Sequence, residues 1–340
     1  MSDVEHSATE QLQAAVHVLR AGGLVAFPTE TVYGLGADAL REDAVRCVFE
    51  LKQRPPENPL IVHVSGPEMA RRLASNWTSD AAALASAFWP GPLSIVVPKR
   101  PEVPGIVTGG SGSIGVAVRC PDHPVALALL YAFGAPLVGP SANRSGRISP
   151  TTAQHVRESF AGEELFILDG GPCATGIEST VVSLLGAPRV LRAGVVSAEQ
   201  LSRVLGKDVL PAALPGAEEG GRARPAGTPL PSPGMLTRHY APSKPARLLP
   251  ADQIRGVLAQ AAGVDPAYAV LSHTITSVPP GSTLIAMPPG DSEYAAALYT
   301  ALRRAENSGG AEILIEAPPM SSPTWHAIRD RLIRACAPGR

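Results

Sequence analysis

The stretch LVAFPTETVYGLGAD, residues 24–38, starts as a strand and runs into a turn carrying two threonines, a carboxylate, a tyrosine and two glycines. The apolar run at 24–27 predicts a short strand, and the polar, glycine-bearing part at 28–37 reads as a loop. Upstream, Ser7 and Glu10 form an S-x-x-E capping box before Leu12, Val16 and Leu19, and Gly22-Gly23 supplies a stop, which predicts a helix over 8–21. Downstream, Val45, Val48, Phe49 and Lys52 recur at helical spacing, and Leu60-Ile-Val-His-Val64 reads as the next strand. The alternation continues, with strands expected at 94–97, 114–118, 165–168, 180–184 and 190–191 and helices near 79–88, 122–132 and 151–160. Such a pattern defines an α/β domain with a mixed sheet.

Between Pro211 and Pro245 the periodicity stops: eight prolines and five glycines fall in 35 residues, the composition of an extended linker. Beyond it, strands are expected at 246–249, 269–271, 283–286 and 313–315 and helices at 251–261, 291–305 and 322–335, a second, smaller α/β unit. No dense run of polar residues marks a reaction centre in that second unit.

Composition narrows the functional classes. The 340 residues hold 29 basic and 30 acidic side chains, so a net charge of −1 disfavours binding to nucleic acid by electrostatics alone. Glycine and proline fill 68 positions, and 45% of residues are apolar, which excludes fibrous and wholly disordered chains. Four scattered cysteines, Cys47, Cys120, Cys173 and Cys336, lack metal-ligand spacing and read as small apolar residues. The polar N-terminus and the want of a long apolar run lead to the expectation of a cytoplasmic protein with no membrane contact. Only four residues are lysine, so a lysine inside a motif stands out.

That lysine is Lys52, in Lys52-Gln-Arg54-Pro-Pro-Glu-Asn58-Pro-Leu60. A proline-stiffened loop here holds an ammonium, a guanidinium and a carboxamide, a set suited to adjacent phosphate groups; a solvated basic helix end is the alternative. His63 follows within the strand and by itself fits a core histidine. The loop Pro136–Thr152 offers Ser141, Asn143, Ser145 and Ser149 as neutral donors for phosphate oxygens, whereas an ordinary helix N-cap explains only Ser149 or Thr151. Polar groups recur at Asp169-Gly-Gly171, Glu178-Ser-Thr180 and Arg192-Ala-Gly194. Gly110-x-Gly112-x-x-Gly115 matches a dinucleotide fingerprint, but a strand pattern follows where a helix is required, so a glycine loop with Gly115 close to a ligand is the better reading.

Taken in order, PTETVYGLGADA, KQRPPENPL, FWPGPLS, VAVRCPDHP, PLVGPSANRSGRISPTTA, DGGPCATGIESTVV, VLRAGVVS and SPGMLTRHYAP resemble the threonylcarbamoyl-AMP synthase family in its long two-domain form. The resemblance implies an open twisted mixed α/β sheet with a large concave cavity (YrdC-like) over residues 1–206. A lid-forming linker over 207–245 and a small Rossmann-like α/β domain over 246–340 would follow. It also implies condensation of L-threonine, bicarbonate or CO2, and ATP into threonylcarbamoyl-AMP with release of pyrophosphate, a nucleotidyl transfer that opens the modification of tRNA adenosine.

Carried over by similarity, Lys52 and Arg54 are the catalytic cations. L-threonine falls to Thr31, His63, Arg119, Gly139 and Ser179, with Arg119 facing its carboxylate. ATP falls to Arg54, Asn58, Gly115, Ser141, Asn143, Ser149, Arg192 and Tyr240. A magnesium ion is expected on the triphosphate, with no protein carboxylate as its ligand, and the downstream partner is the tRNA threonylcarbamoyl transferase machinery, with a possible weak tRNA contact. Ser94, Gly139, Ile148, Ser183 and Ala193 depart from residues frequent in the family. Rival readings are a double-stranded-RNA or tRNA-binding or ribosome-assembly protein, which near-zero charge weakens, and carbamoyl transfer in hydrogenase maturation, whose accessory segments are missing from this sequence.

Overall fold

The computed structural model describes residues 3–110, 112–212, 232, 234, 236–260 and 267–338, with side chains from residue 9 onward. The first unit runs α1 (Asp3–Arg20), β1 (Val25–Phe27), β2 (Gly34–Asp38), α2 (Glu42–Lys52), β3 (Ile61–His63), α3 (Pro67–Arg71), α4 (Ser79–Phe88) and β4 (Leu93–Pro98). It continues with β5 (Gly115–Arg119), α5 (Pro124–Phe133), β6 (Leu137–Val138), α6 (Ala153–Ser159), β7 (Phe166–Ile167), β8 (Thr180–Ser183), β9 (Arg189–Arg192) and α7 (Ala198–Leu205).

These strands form one mixed sheet in the order β7-β1-β2-β6-β3-β5-β4-β8-β9. β3 and β5 are parallel with His63 opposite Arg119, so two residues 56 positions apart become neighbours at the carboxyl ends of adjacent strands. β4 and β8 are parallel with Leu93 opposite Thr180, and the β8–β9 pair sets Val181 against Arg192. The sheet register thus draws distant polar residues to one place. Helices cover the sheet through two apolar clusters: Val45, Val48 and Phe49 of α2 belong to one, and Ala15, Val16 and Leu19 of α1 pack with Ala126, Leu129 and Leu130 of α5 in the other.

Several expectations need correction. The segment expected as a loop over 28–37 contains β2, whose Gly34 and Gly36 lie against the Phe27 ring, where a side chain would collide. Glycine disguised that strand. The N-cap of α6 is Thr152, which accepts from the His155 amide, and is neither Ser149 nor Thr151. α3 and α7 had no counterpart among the expected elements, although α7 carries a Ser197–Gln200 capping box. The Ser7 side chain, Ser111 of the glycine loop and most of the proline-rich linker (213–231, 233 and 235) lie outside the described residues. Cys47 is exposed and Cys336 half-buried, so only Cys120 and Cys173 behave as core residues; all four are free thiols.

The second unit comprises β10 (Ala246–Leu249), α8 (Ala251–Gln260), β11 (Tyr268–Ser272), β12 (Thr283–Ala286), α9 (Asp291–Glu306), β13 (Glu312–Glu316) and α10 (Pro323–Ala335). Its strands are all parallel in the order β10-β13-β11-β12. Val270, Leu271, Ile313, Leu314 and Ile315 are fully buried, as expected of strands covered on both faces. α9 buries more than one stripe, because it packs on its own sheet and also against the first unit. Gly176 (φ +76°) meets its backbone, and a β-carbon there would fall 2.4 Å from the Ala296 Cα. No helix among the described residues is long and apolar enough to cross a membrane.

Candidate functional site

A cavity of about 40 Å³ opens where the carboxyl ends of β3 and β5 meet the β1–β2 turn, the loop after β6 and the segment of Gly234, His239 and Tyr240 that precedes the second unit. The β1–β2 turn is built by Thr29, whose hydroxyl donates to the Val32 carbonyl (2.7 Å) and accepts from the amides of Thr31 and Val32. This turn presents Thr31, which accepts from Arg119 Nη1 at 2.9 Å. Arg119 is also held by the Gly91 carbonyl and forms an ion pair of 2.6 Å with Glu30, both side chains being more than nine-tenths buried. Its fork is therefore oriented before any ligand arrives, with Glu30 behind it.

His63 stands beside Arg119, edge-on to Phe27 at 5.4 Å. Burial, reinforced by the Arg119 charge, holds its pKa well below the usual imidazole range, so the ring is neutral at pH 7, and Nδ1 has no hydrogen-bond partner. Gly139 leaves room for this ring: a β-carbon there would lie 2.5 Å from Nδ1.

The Lys52–Pro59 loop separates its two cations. Gln53 adopts the left-handed conformation (φ +52°) at the end of α2, which turns Lys52 and Arg54 apart. Lys52 is 1% exposed, donates to the carbonyls of Ser141 and Asn143 at 2.5 Å each, and does not line the cavity. Burial, then Arg54 and Arg144, pull its pKa well below the ordinary ammonium value. Arg54 does line the cavity; it donates to the carbonyls of Asn58 and Pro59, and burial lowers its pKa to about 9. Asn58 is fully buried with both polar ends of its carboxamide unpartnered.

On the opposite wall, Ser179 at the start of β8 shares a hydrogen bond with Ser94 (2.9 Å) and accepts from Arg192 Nη2 (3.1 Å), while Arg192 Nε donates to the Ser179 carbonyl. Burial lowers the Arg192 pKa. Ser149 is fully buried and donates to Glu178 Oε1 at 2.6 Å. Asn143 donates to the carbonyls of Arg144 and Arg147, leaving its own oxygen unpartnered.

The structure brings eight expected residues onto one cavity: Thr31, Arg54, His63, Arg119, Gly139, Ser141, Arg192 and Tyr240. Lys52, Asn58, Asn143, Ser149 and Ser179 lie behind that surface and hold the residues or backbone that form it. Gly115 does not line this cavity: it starts β5, and a β-carbon there would fall 2.7 Å from Leu185 Cδ1 and 3.0 Å from Val96 Cγ1. Among lining residues given no role beforehand, Glu178 and His239 matter most. Glu178 sat inside a polar cluster of the sequence, yet two of its partners, Tyr299 and Arg331, lie more than 100 residues downstream, where no local pattern points to it. Tyr240 (φ +61°) stacks on Tyr299 of α9 at 5.8 Å, with His239 edge-on at 4.1 Å. Burial raises the Tyr240 pKa to about 12 and keeps His239 neutral.

These two rings wall in the concavity, which is why the space left suits a few waters and not a nucleotide. A wider cleft of about 640 Å³ lies between α7 and the start of α10 and contains none of the expected site residues. Among the described residues no group of three or more His, Cys, Asp or Glu could hold a metal ion.

Fold and site together define an α/β protein with an arginine-lined cavity at the carboxyl ends of two central strands of a mixed sheet, a setting that suits a small anionic ligand. Comparison with known proteins makes the class specific. Residues 17–194 match a family model described as "Telomere recombination", and residues 196–337 match one described as "Threonylcarbamoyl-AMP synthase, C-terminal domain". The chain is 44% identical over 249 residues to threonylcarbamoyl-AMP synthase of Pyrococcus abyssi, covering 72% of this chain and 70% of that protein. It is 43% identical over 237 residues to the Bacillus subtilis threonylcarbamoyl-AMP synthase, covering 69% and 65%. The crystal structure of P. abyssi Sua5 complexed with L-threonine superposes with a TM-score of 0.83 at 37% identity, covering 96% of this chain and 94% of that one. The E. coli YciO structure, at 22% identity and TM-score 0.51, shares the fold over 57% of this chain. The chain belongs to the threonylcarbamoyl-AMP synthase family.

Proposed function

We propose that this chain joins L-threonine, bicarbonate or CO2, and ATP into L-threonylcarbamoyl-AMP with release of pyrophosphate, the step that opens threonylcarbamoyladenosine modification of tRNA. The observation that carries the reading is the convergence of three buried guanidiniums, Arg54, Arg119 and Arg192, with Thr31 and a neutral His63 on one enclosed cavity. The threonine complex of the P. abyssi relative supports the amino-acid half.

In this reading the threonine amine takes up CO2 to form a carbamate, and a carbamate oxygen attacks the α-phosphorus, expelling pyrophosphate. Arg119 receives the amino-acid carboxylate, with Glu30 and Thr31 fixing its fork; His63, Gly139 and Ser179 shape the rest of that subsite. Arg54 and Arg192 neutralise charge developing on the leaving pyrophosphate. Lys52 acts with them by holding the Ser141 and Asn143 carbonyls, so that their loop is preset to receive the nucleotide. Asn58, Ser141, Asn143, Ser149 and Tyr240 complete the nucleotide subsite; Gly115 contributes only through the placement of β5.

Glu178, a carboxylate on the cavity wall, is already taken by Ser149, Tyr299 and Arg331, so a magnesium ion would be carried by the triphosphate oxygens. Nucleotide entry requires the Tyr240 segment to move, which makes the linker over 207–245 a lid between the 1–206 and 246–340 domains. The product passes to the tRNA threonylcarbamoyl transferase machinery in the cytoplasm. Pyrophosphate release from ATP tests the reading: it should require both threonine and bicarbonate, and equal release with either omitted would overturn it.

A further inference from the structure

Arg331 is among the largest fully buried side chains of the described residues, and it sits on α10 of the second unit. Its guanidinium reaches across to the first unit and binds three acceptors there. Nη1 donates to the Ala193 carbonyl, Nη2 to the Glu178 carbonyl at 3.1 Å, and Nε to Glu178 Oε2 at 3.3 Å. Ala193 directly follows Arg192 and Glu178 directly precedes Ser179, so one side chain ties together the two strand ends whose residues form the Arg192–Ser179 pair. Tyr299 of α9 adds a hydrogen bond to Glu178 Oε2 at 2.8 Å and stacks on Tyr240. Glu178 in turn accepts a hydrogen bond from the Ser149 hydroxyl.

We propose that Arg331 is a positioning residue for the nucleotide half of the cavity, fixing the spacing of Arg192 against Ser179 and the orientation of Glu178 and Ser149, with Tyr299 as its auxiliary. Neither residue lines the cavity, so both act through the groups they hold. A rigid fork with donors in three directions meets this need, whereas a lysine ammonium cannot span both carbonyls and the carboxylate at once. The second unit is then a template for the active site. This inference rests on the synthase reading above.

The test compares the full-length wild type with Arg331→Lys, Arg331→Met and Tyr299→Phe by steady-state kinetics and thermal denaturation. Wild-type turnover with all three substrates is measured first, so that a failure of the synthase reading is seen separately. In a folded Arg331→Lys protein the KM for ATP should rise about ten- to hundredfold, the equivalent of one charged hydrogen bond, while the KM for threonine stays put. Tyr299→Phe should shift the same constant in the same direction by a smaller factor. If Arg331→Met does not fold, the Arg331→Lys and Tyr299→Phe proteins decide the matter. A lowered melting temperature with unchanged KM for ATP in the folded variants, or equal rises in both KM values, would overturn the proposal and leave Arg331 as a stability residue.

Discussion

The carboxyl ends of the two sheets invite comparison, because both gather polar residues but satisfy them differently. At the mouth of the parallel sheet, Glu316 accepts from the amides of His273 and Thr274 at 3.0 Å, from the Thr274 hydroxyl at 2.7 Å and from the Ser272 hydroxyl. The chain's own carboxylate fills the place that a doubly wound sheet commonly gives to a ligand. Among the described residues at the mouth of the mixed sheet, six buried polar atoms on Asn58, His63, Asn143, His239 and Tyr240 make no hydrogen bond, against two, on His273 and Tyr294, near the other. Polarity alone does not mark a site; unsatisfied buried polarity beside oriented cations does.

The largest effect that tests this contrast is expected for Arg119→Ala. It strands Glu30 as an unpaired buried charge, which should lower stability by roughly 3–5 kcal/mol in denaturant titration. Threonine-dependent pyrophosphate release should vanish with it, and persistence of that release would break the comparison. Next comes Lys52→Met, which leaves the buried Asn143 carbonyl without its donor and the Ser141 carbonyl with the Asn143 amide alone. Pyrophosphate release should drop about a hundredfold through misplacement of the Ser141–Asn143 loop, with a stability loss of about 1–3 kcal/mol.

Glu316→Gln supplies the matching control in the second sheet. It should reduce stability by roughly 1–3 kcal/mol, seen as a lower denaturation midpoint, and leave all kinetic constants unchanged. A kinetic effect there would erase the distinction between the two mouths. The smallest effect concerns pH. Burial depresses the pKa of His63 and His239, and lowers that of His155 to about 4, so these rings stay neutral in the fold while the unfolded chain protonates near 6.5. Stability should therefore be fully present above about 6.5 and fall as the pH drops towards 4, with His155→Gln giving a shallower decline.

The order of helices and strands was legible because 2.0- and 3.6-residue periodicities survive in the short strands and in α2, α9 and α10. β2 was hidden because Gly34 and Gly36, needed against Phe27, read as loop residues. Site chemistry was legible where it sat in a local motif, as with Arg54, His63 and Arg192. Which residue faces the cavity and which stands behind it was not, since that depends on the left-handed turn at Gln53 and on the β3–β5 register. The grip of Arg331 on Glu178 joins residues 153 positions apart and has no local signature at all. Likewise the Glu316 cluster spans residues 272–316, so the second unit looked empty of polar groupings until β11 and β13 paired.

The proposed reaction in the cavity of the mixed sheet condenses an amino acid, a one-carbon unit and a nucleotide. Mass spectrometry of a reaction containing ATP, L-threonine and isotopically labelled bicarbonate tests it most directly. The account predicts an adenylate that carries threonine and one labelled carbon, formed in step with pyrophosphate. Pyrophosphate without that product, or a product lacking the label, would contradict it.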